Sequence, residues 1–208
     1  ILSDRDHTPR SLRMLETAGI PIVEIMDTHR PPIQQAVGYD NVQAAYDMVS
    51  EMILRGRRQV IYLAVRLDER TRQRELGYRR AMEEHGLTPV TPQSTQRSYY
   101  SVGAALLQQV ISDYPTADGL FCTNDDVAVG AYFECQRRGI EVPARMALAG
   151  FHGHDVGHVM TPRLASVVTP RQAIGEAAAG ELLARIRGET LTQKIVDLGY
   201  RIETGMTL

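Results

Sequence analysis

Short β-branched runs alternate with amphipathic stretches along this chain, and the alternation sets the element list. "QVIYLAV" (59–65) is a nearly continuous apolar run, the pattern of a strand buried on both faces. "PIVEI" (21–25), "GLFCT" (119–123), "MALAGF" (146–151) and "LASVVT" (164–169) read as further strands, and "KIVDLGYRI" (194–202) as a closing one. Between them Ala45, Met48, Val49, Met52 and Ile53 recur at helical spacing, which predicts a helix from an Asn41 N-cap to Gly56. Other helices are expected over 9–19, 68–85, 101–113, 125–138 and 170–188, several closed by a glycine. Residues 89–95 read as a short extended piece, and "QAVGYD" as the lead-in to the helix at Asn41. The opening "ILSDRD" reads as the tail of a strand entering a loop. With no initiating Met before it, the sequence is taken as a piece whose N-terminal part is absent.

Strand and helix alternating through short links predict an α/β fold of parallel sheets built from βαβ units. In such sheets ligands gather at the carboxyl ends of the strands, which selects the loops after Val65, Thr123 and Phe151 and the segment near Thr169.

Composition narrows the function classes. The 208 residues are 43% hydrophobic and 23% charged, with 23 basic against 25 acidic side chains, so no basic surface for nucleic acid stands out. The densest basic run, "RTRQRELGYRR", reads as a solvated helix face. Cys122 and Cys135 lie thirteen apart without ligand spacing and read as buried, reduced thiols of a cytoplasmic protein. No apolar run approaches the roughly 20 residues of a membrane span. No cofactor is indicated.

The conspicuous cluster is "GFHGHDVGH" (150–158), with three of the six histidines. An H-x-H arm after a strand can share a metal, as in a metal-dependent hydrolase. No histidine follows His158 to complete such a site, so no metal is expected and the chain is not read as an enzyme.

The loops also carry a resemblance. "CTNDDVAVGAYFECQRRGIEVPARMALAGFHGHD" resembles the signature stretch of the LacI-type repressors, as do "DNVQAAYDMVSEMILRGRRQVIYL", "RLASVVTPRQAIGEAAAGELL" and "LGYRIETGMTL". Within that family "PIVEIM", "DERT", "FCTNDD", "FECQRRGI", "GFHGHD" and "TPRLASVVTPR" are similar to the gluconate-utilisation repressors. The resemblance covers essentially the whole chain. It implies a type I periplasmic-binding-protein-like core: two Rossmann-like α/β subdomains, three crossovers, and a small effector in the cleft between them. It further implies a homodimer, and operator binding through an N-terminal helix-turn-helix outside this chain. On that frame residues 1–56 form part of the N-terminal subdomain, 57–166 the C-terminal one, 167–192 return to the first, and 193–208 supply a final strand of the second. The alternative on the same fold is a solute-binding protein of the periplasmic type for a sugar or sugar acid.

The resemblance also implies effector-binding residues. Arg74, three positions before Gly77-Tyr78, matches the family's effector arginine, and Arg70 one turn earlier stands where a small polar residue is usual. Asn124 matches an effector-binding asparagine, while Asp125 reads as the helix N-cap. Thr169 lies in a segment that often touches ligand, and Ser98 stands where purine and galactoside binders place an aromatic ring. His152 occupies a position where many sugar- and purine-responsive members carry aspartate. Histidine there removes a negative charge and adds a group that can become cationic near neutral pH, suiting an acidic polyol beside two arginines. His154, His158 and Asp155 read as loop architecture.

Overall fold

In a computed structural model the chain is described over residues 1–2, 7–190 and 193–208. It divides into two compact units, residues 1–41 with 170–200 and residues 42–169 with 201–208, and the backbone passes between them three times.

The smaller unit begins with Leu2, which bridges in parallel to Glu24; the rest of the opening loop lies outside the described residues. Helix α1 (Pro9–Thr17) starts where Thr8 accepts from the Ser11 N–H and proline takes the first turn. Strand β1 (Val23–Ile25) pairs in parallel with β2 (Gln35–Gly38). The sequence reading missed β2, a four-residue strand made of a glutamine, a glycine and only two apolar residues. Its burial comes from neighbours distant in the chain.

Helix α2 (Asn41–Leu54) leads into the larger unit, which starts at Val42, Asn41 belonging to the smaller. Asn41 is the first residue of the helix rather than the expected cap outside it, and its Nδ2 donates to the Met26 carbonyl (2.9 Å). There follow β3 (Val60–Val65), α3 (Glu69–Glu84), β4 (Gln93–Ser94), α4 (Tyr100–Asp113), β5 (Gly119–Cys122), α5 (Asp125–Arg137), β6 (Ala147–His152), the short α6 (Asp155–Val159) and β7 (Ala165–Val168). The chain then enters α7 (Arg171–Ile186), which packs on β1 and β2, and β8 (Ile195–Asp197), which pairs in parallel with β2. Finally β9 (Arg201–Glu203) runs antiparallel to β7. The closing stretch read as one strand is therefore two, in two different sheets. Gly199, at φ +64°, makes the break, and its N–H donates to Asp197 Oδ1.

The second sheet has the order β4-β3-β5-β6-β7-β9. Every residue of β3 is buried, and the pleat sends alternate side chains to opposite faces. Ile61, Leu63 and Val65 join Val102, Leu106, Leu107 and Val110 of α4 and Val127 and Ala131 of α5 in one core. Tyr62 is stacked on Phe121 (5.3 Å between ring centroids) and lies near Tyr78 of α3 (5.6 Å). After β3 the chain places β4 on one side and β5 on the other. This is a topological switch point, where the loops leaving β3 and β5 diverge and open a crevice at the strand ends.

Candidate functional site

That crevice is a small polar depression at the strand ends. It is lined by Val65, Arg66, Asp68, Arg70, Thr71 and Arg74 from the β3–α3 segment, Ser98 before α4, Thr123 and Asn124 after β5, and His152 at the end of β6. Five of the six residues named from the sequence line it. The sixth, Thr169, reaches it through His152.

Arg74 is the deepest cation, only 3% exposed although it sits in a run read as solvated. Around it Arg72, Arg79 and Arg80 do form surface pairs, with Glu69, Glu75 and Glu84. Arg74 instead turns inward: its guanidinium carbon lies 3.8 Å over the Phe151 ring, and Nη1 donates to the Thr123 carbonyl (2.5 Å). Its Nη2 lies 3.3 Å from His152 Nε2, and His152 Nδ1 lies 3.4 Å from Thr169 Oγ1. A guanidinium can only donate, so Nε2 must accept, and the ring carries its proton on Nδ1 toward Thr169. In this arrangement His152 adds no charge to those of the pocket's arginines; what distinguishes it from an aspartate is the charge it lacks. It is also held at φ +104°, a backbone setting few non-glycine residues adopt.

Asn124 takes the capping role expected of Asp125. Asn124 is the N-cap of α5, its Oδ1 accepting from the Val127 N–H (3.1 Å), which leaves its Nδ2 as the group to offer a ligand. Asp125 is fully buried, accepting from the His154 N–H and from Ser166 Oγ (2.7 Å). Burial pushes its carboxyl above the usual range, against those two hydrogen bonds. It clamps the turn after β6 to α5, and Gly150 has no room for a Cβ beside it. That clamp is what holds His152 at the pocket rim.

The histidine cluster does not act as a unit. His152 faces Arg74, His154 Nδ1 lies 3.5 Å from Asp126, and His158 Nδ1 lies 3.7 Å from Glu203. The His152 and His154 rings are stacked (5.7 Å), and Asp155 begins α6. Among the described residues no group of three or more His, Cys, Asp or Glu side chains could hold a metal ion.

Four polar residues of the pocket escaped the sequence reading. Asp68 caps α3: Oδ1 accepts from the Thr71 N–H (3.0 Å) and Oγ1 (2.9 Å), while Oδ2 lies 3.7 Å from Arg66 Nε and 3.9 Å from Arg70 Nη2. Partial burial pushes its carboxyl up, but the Thr71 bonds and the charges of Arg70 and Arg74 outweigh this and hold it below the usual range. Thr71 and Thr123 lie 3.3 Å apart through their hydroxyls, both near the buried Tyr62 hydroxyl, and Arg66 turns the chain at φ +73°. An acid at the start of a predicted helix was a readable signal for Asp68; the hydroxyl network was not. Ser98 Oγ is buried without a hydrogen-bond partner.

Against known proteins, a model described as "Periplasmic binding protein-like domain" matches residues 49–207. The crystal structure of the transcription regulator GntR from Chromobacterium violaceum is 33% identical, superposes with a TM-score of 0.93, and is matched over 99% of this chain and 76% of that one. The chain belongs to the periplasmic binding protein-like domains of the LacI-type regulators. Among curated relatives of this LacI-type domain, HTH-type transcriptional regulator GntR of Escherichia coli (strain K12) is 55% identical over 99% of the chain. HTH-type transcriptional regulator IdnR of the same strain is 44% identical over 100% of it. The chain spans 62% and 63% of the length of these two relatives. Among the described residues of the LacI-type domain, no helix is long and apolar enough to cross a membrane.

Proposed function

We propose that this domain is the effector sensor of a cytoplasmic LacI-type transcriptional regulator, and that its pocket holds gluconate or a closely related sugar acid. The observation that carries the reading is the buried Arg74 guanidinium with His152, not an acid, beside it. Three arginines and one aspartate line the depression, so a carboxylate enters a field of favourable sign. Arg74 suits a carboxylate as a planar fork. The polyol end is met by Arg70, by Asn124 Nδ2 and by the buried Ser98 hydroxyl, which gains a partner when a ligand hydroxyl arrives. Thr169 contributes by fixing the His152 ring. The identities to GntR-named regulators support the same class.

In the full-length protein we take the domain to act as a homodimer, joined to operator DNA through a helix-turn-helix outside this chain. Occupancy then changes operator affinity only as far as the two DNA-binding states hold the acid with different affinity. The test is calorimetric titration of the purified chain with gluconate, with thermal unfolding in parallel. Saturable heat and a raised Tm are expected. Absence of both at millimolar gluconate overturns the proposal.

A further inference from the structure

We propose that Asp68 makes this pocket select singly charged sugar acids and reject their phosphorylated counterparts. The inference rests on the sugar-acid reading above and deepens it. Three arginines at one pocket would ordinarily suit a phosphate as well as a carboxylate. Phosphate is also drawn to helix N-termini, where unpaired N–H groups and the helix dipole favour an anion. Two such termini border this pocket, and the chain fills both itself. At α3 the Asp68 carboxylate takes the Thr71 N–H, and at α5 Asn124 caps and is followed by Asp125 and Asp126.

Asp68 does a second thing. Its Oδ2 stands 3.7 Å from Arg66 Nε and 3.9 Å from Arg70 Nη2, so both outer arginines already face a fixed negative charge. Arg74, on the inner side of the same helix, anchors the carboxylate in this reading while keeping its contacts with Thr123 and His152. An extended acid held there directs its other end toward Arg70 and Asp68. A hydroxyl arriving at that end donates to Asp68 Oδ2 and accepts from Arg70. A phosphate can only accept, and its two charges meet the carboxylate. At a separation of about 6 Å and intermediate screening this like-charge contact lowers the affinity for the phosphate on the order of 100-fold relative to a neutral residue at position 68, and so offsets the attraction of the arginines.

The substitution Asp68→Asn isolates the charge, because asparagine is an equally good N-cap and keeps an oxygen for Thr71. Asp68→Ser, also a competent cap, is the second variant should the first unfold. Gluconate and 6-phosphogluconate are each titrated calorimetrically into the wild-type chain and the variants. The wild type is expected to hold gluconate about tenfold tighter or more. The variants should narrow that ratio at least tenfold, mainly by gaining affinity for the phosphorylated acid. A wild type that binds both alike overturns the inference, as does an unchanged ratio in folded variants. A wild type that binds neither acid overturns the sugar-acid reading and this inference with it.

Discussion

Changing His152 to aspartate puts the charge argument to its most direct test. In the structure His152 Nε2 accepts from Arg74 Nη2 at 3.3 Å, so an aspartate there becomes a carboxylate competing for the same guanidinium. A ligand carboxylate on Arg74 would then sit about 4 to 5 Å from it. At the effective dielectric of a partly buried site that repulsion is about 3 to 4 kcal/mol, a loss of about 200- to 1,000-fold in affinity for a sugar acid. Fold stability should change little: position 152 has φ +104°, and aspartate tolerates positive φ better than most side chains. His152→Asn supplies the control, removing the ring without adding charge, and should cost less than about tenfold because one hydrogen bond is altered. Affinity is read by calorimetry with gluconate, and folding by thermal unfolding and circular dichroism. Retention of gluconate affinity within about threefold by a folded His152→Asp chain would refute the reasoning. An equal loss in His152→Asn would show that ring geometry rather than charge is decisive.

Three other outcomes follow from the same geometry. Arg74→Lys keeps the charge but gives up the fork that reaches Thr123 and His152 and the stacking on Phe151, so gluconate affinity should fall by about tenfold or more at constant ionic strength, measured calorimetrically. Gly130→Ala drives a methyl group into the Tyr100 carbonyl where α4 and α5 pack, and should destabilise by about 3 kcal/mol in urea unfolding; a Tm unchanged within a degree would contradict that packing. Glu134 is held down to about 2 by Arg138, Gln108 and Arg137, so its contribution to stability is complete above the ordinary glutamate range and lost as pH falls through the folded value. Glu134→Gln should therefore lower Tm at pH 7, with the difference from wild type shrinking as pH drops from about 4.5 toward 2; a pH-independent difference would count against the network.

Local signals carried a large part of this molecule. The β3 run "QVIYLAV" is apolar at nearly every position, so its burial on both faces was readable without knowing what covers it. The same holds for the period and closing glycines of the helices, but not for two caps: Asn41 lies inside α2, and Asn124 rather than Asp125 caps α5. Strand ends pointed to loops that border one pocket, and five of the six named residues line it.

What failed was information held by distant partners. Strand β2 is too short and too mixed to show itself; β1 and β8, the latter some 160 residues away, make it a strand. A single positive φ at Gly199 decides that the closing stretch serves two sheets. Arg74 lies in a run that looks solvated, and its charge turns inward because a carbonyl at the end of β5 and an imidazole and an aromatic face at the end of β6 await it there. The sequence by itself determined the alternation of elements, the α/β class and the strand-end loops that border the pocket, because those depend on nearest neighbours along the chain. Only the tertiary structure decided which way each polar group points: His152 accepting from Arg74, Asn124 rather than Asp125 capping α5, and Asp68 standing beside the outer arginines. Hydrogen-bond direction and charge pairing depend on distances of a few ångströms between residues far apart in sequence, and those distances exist only once the sheet has formed.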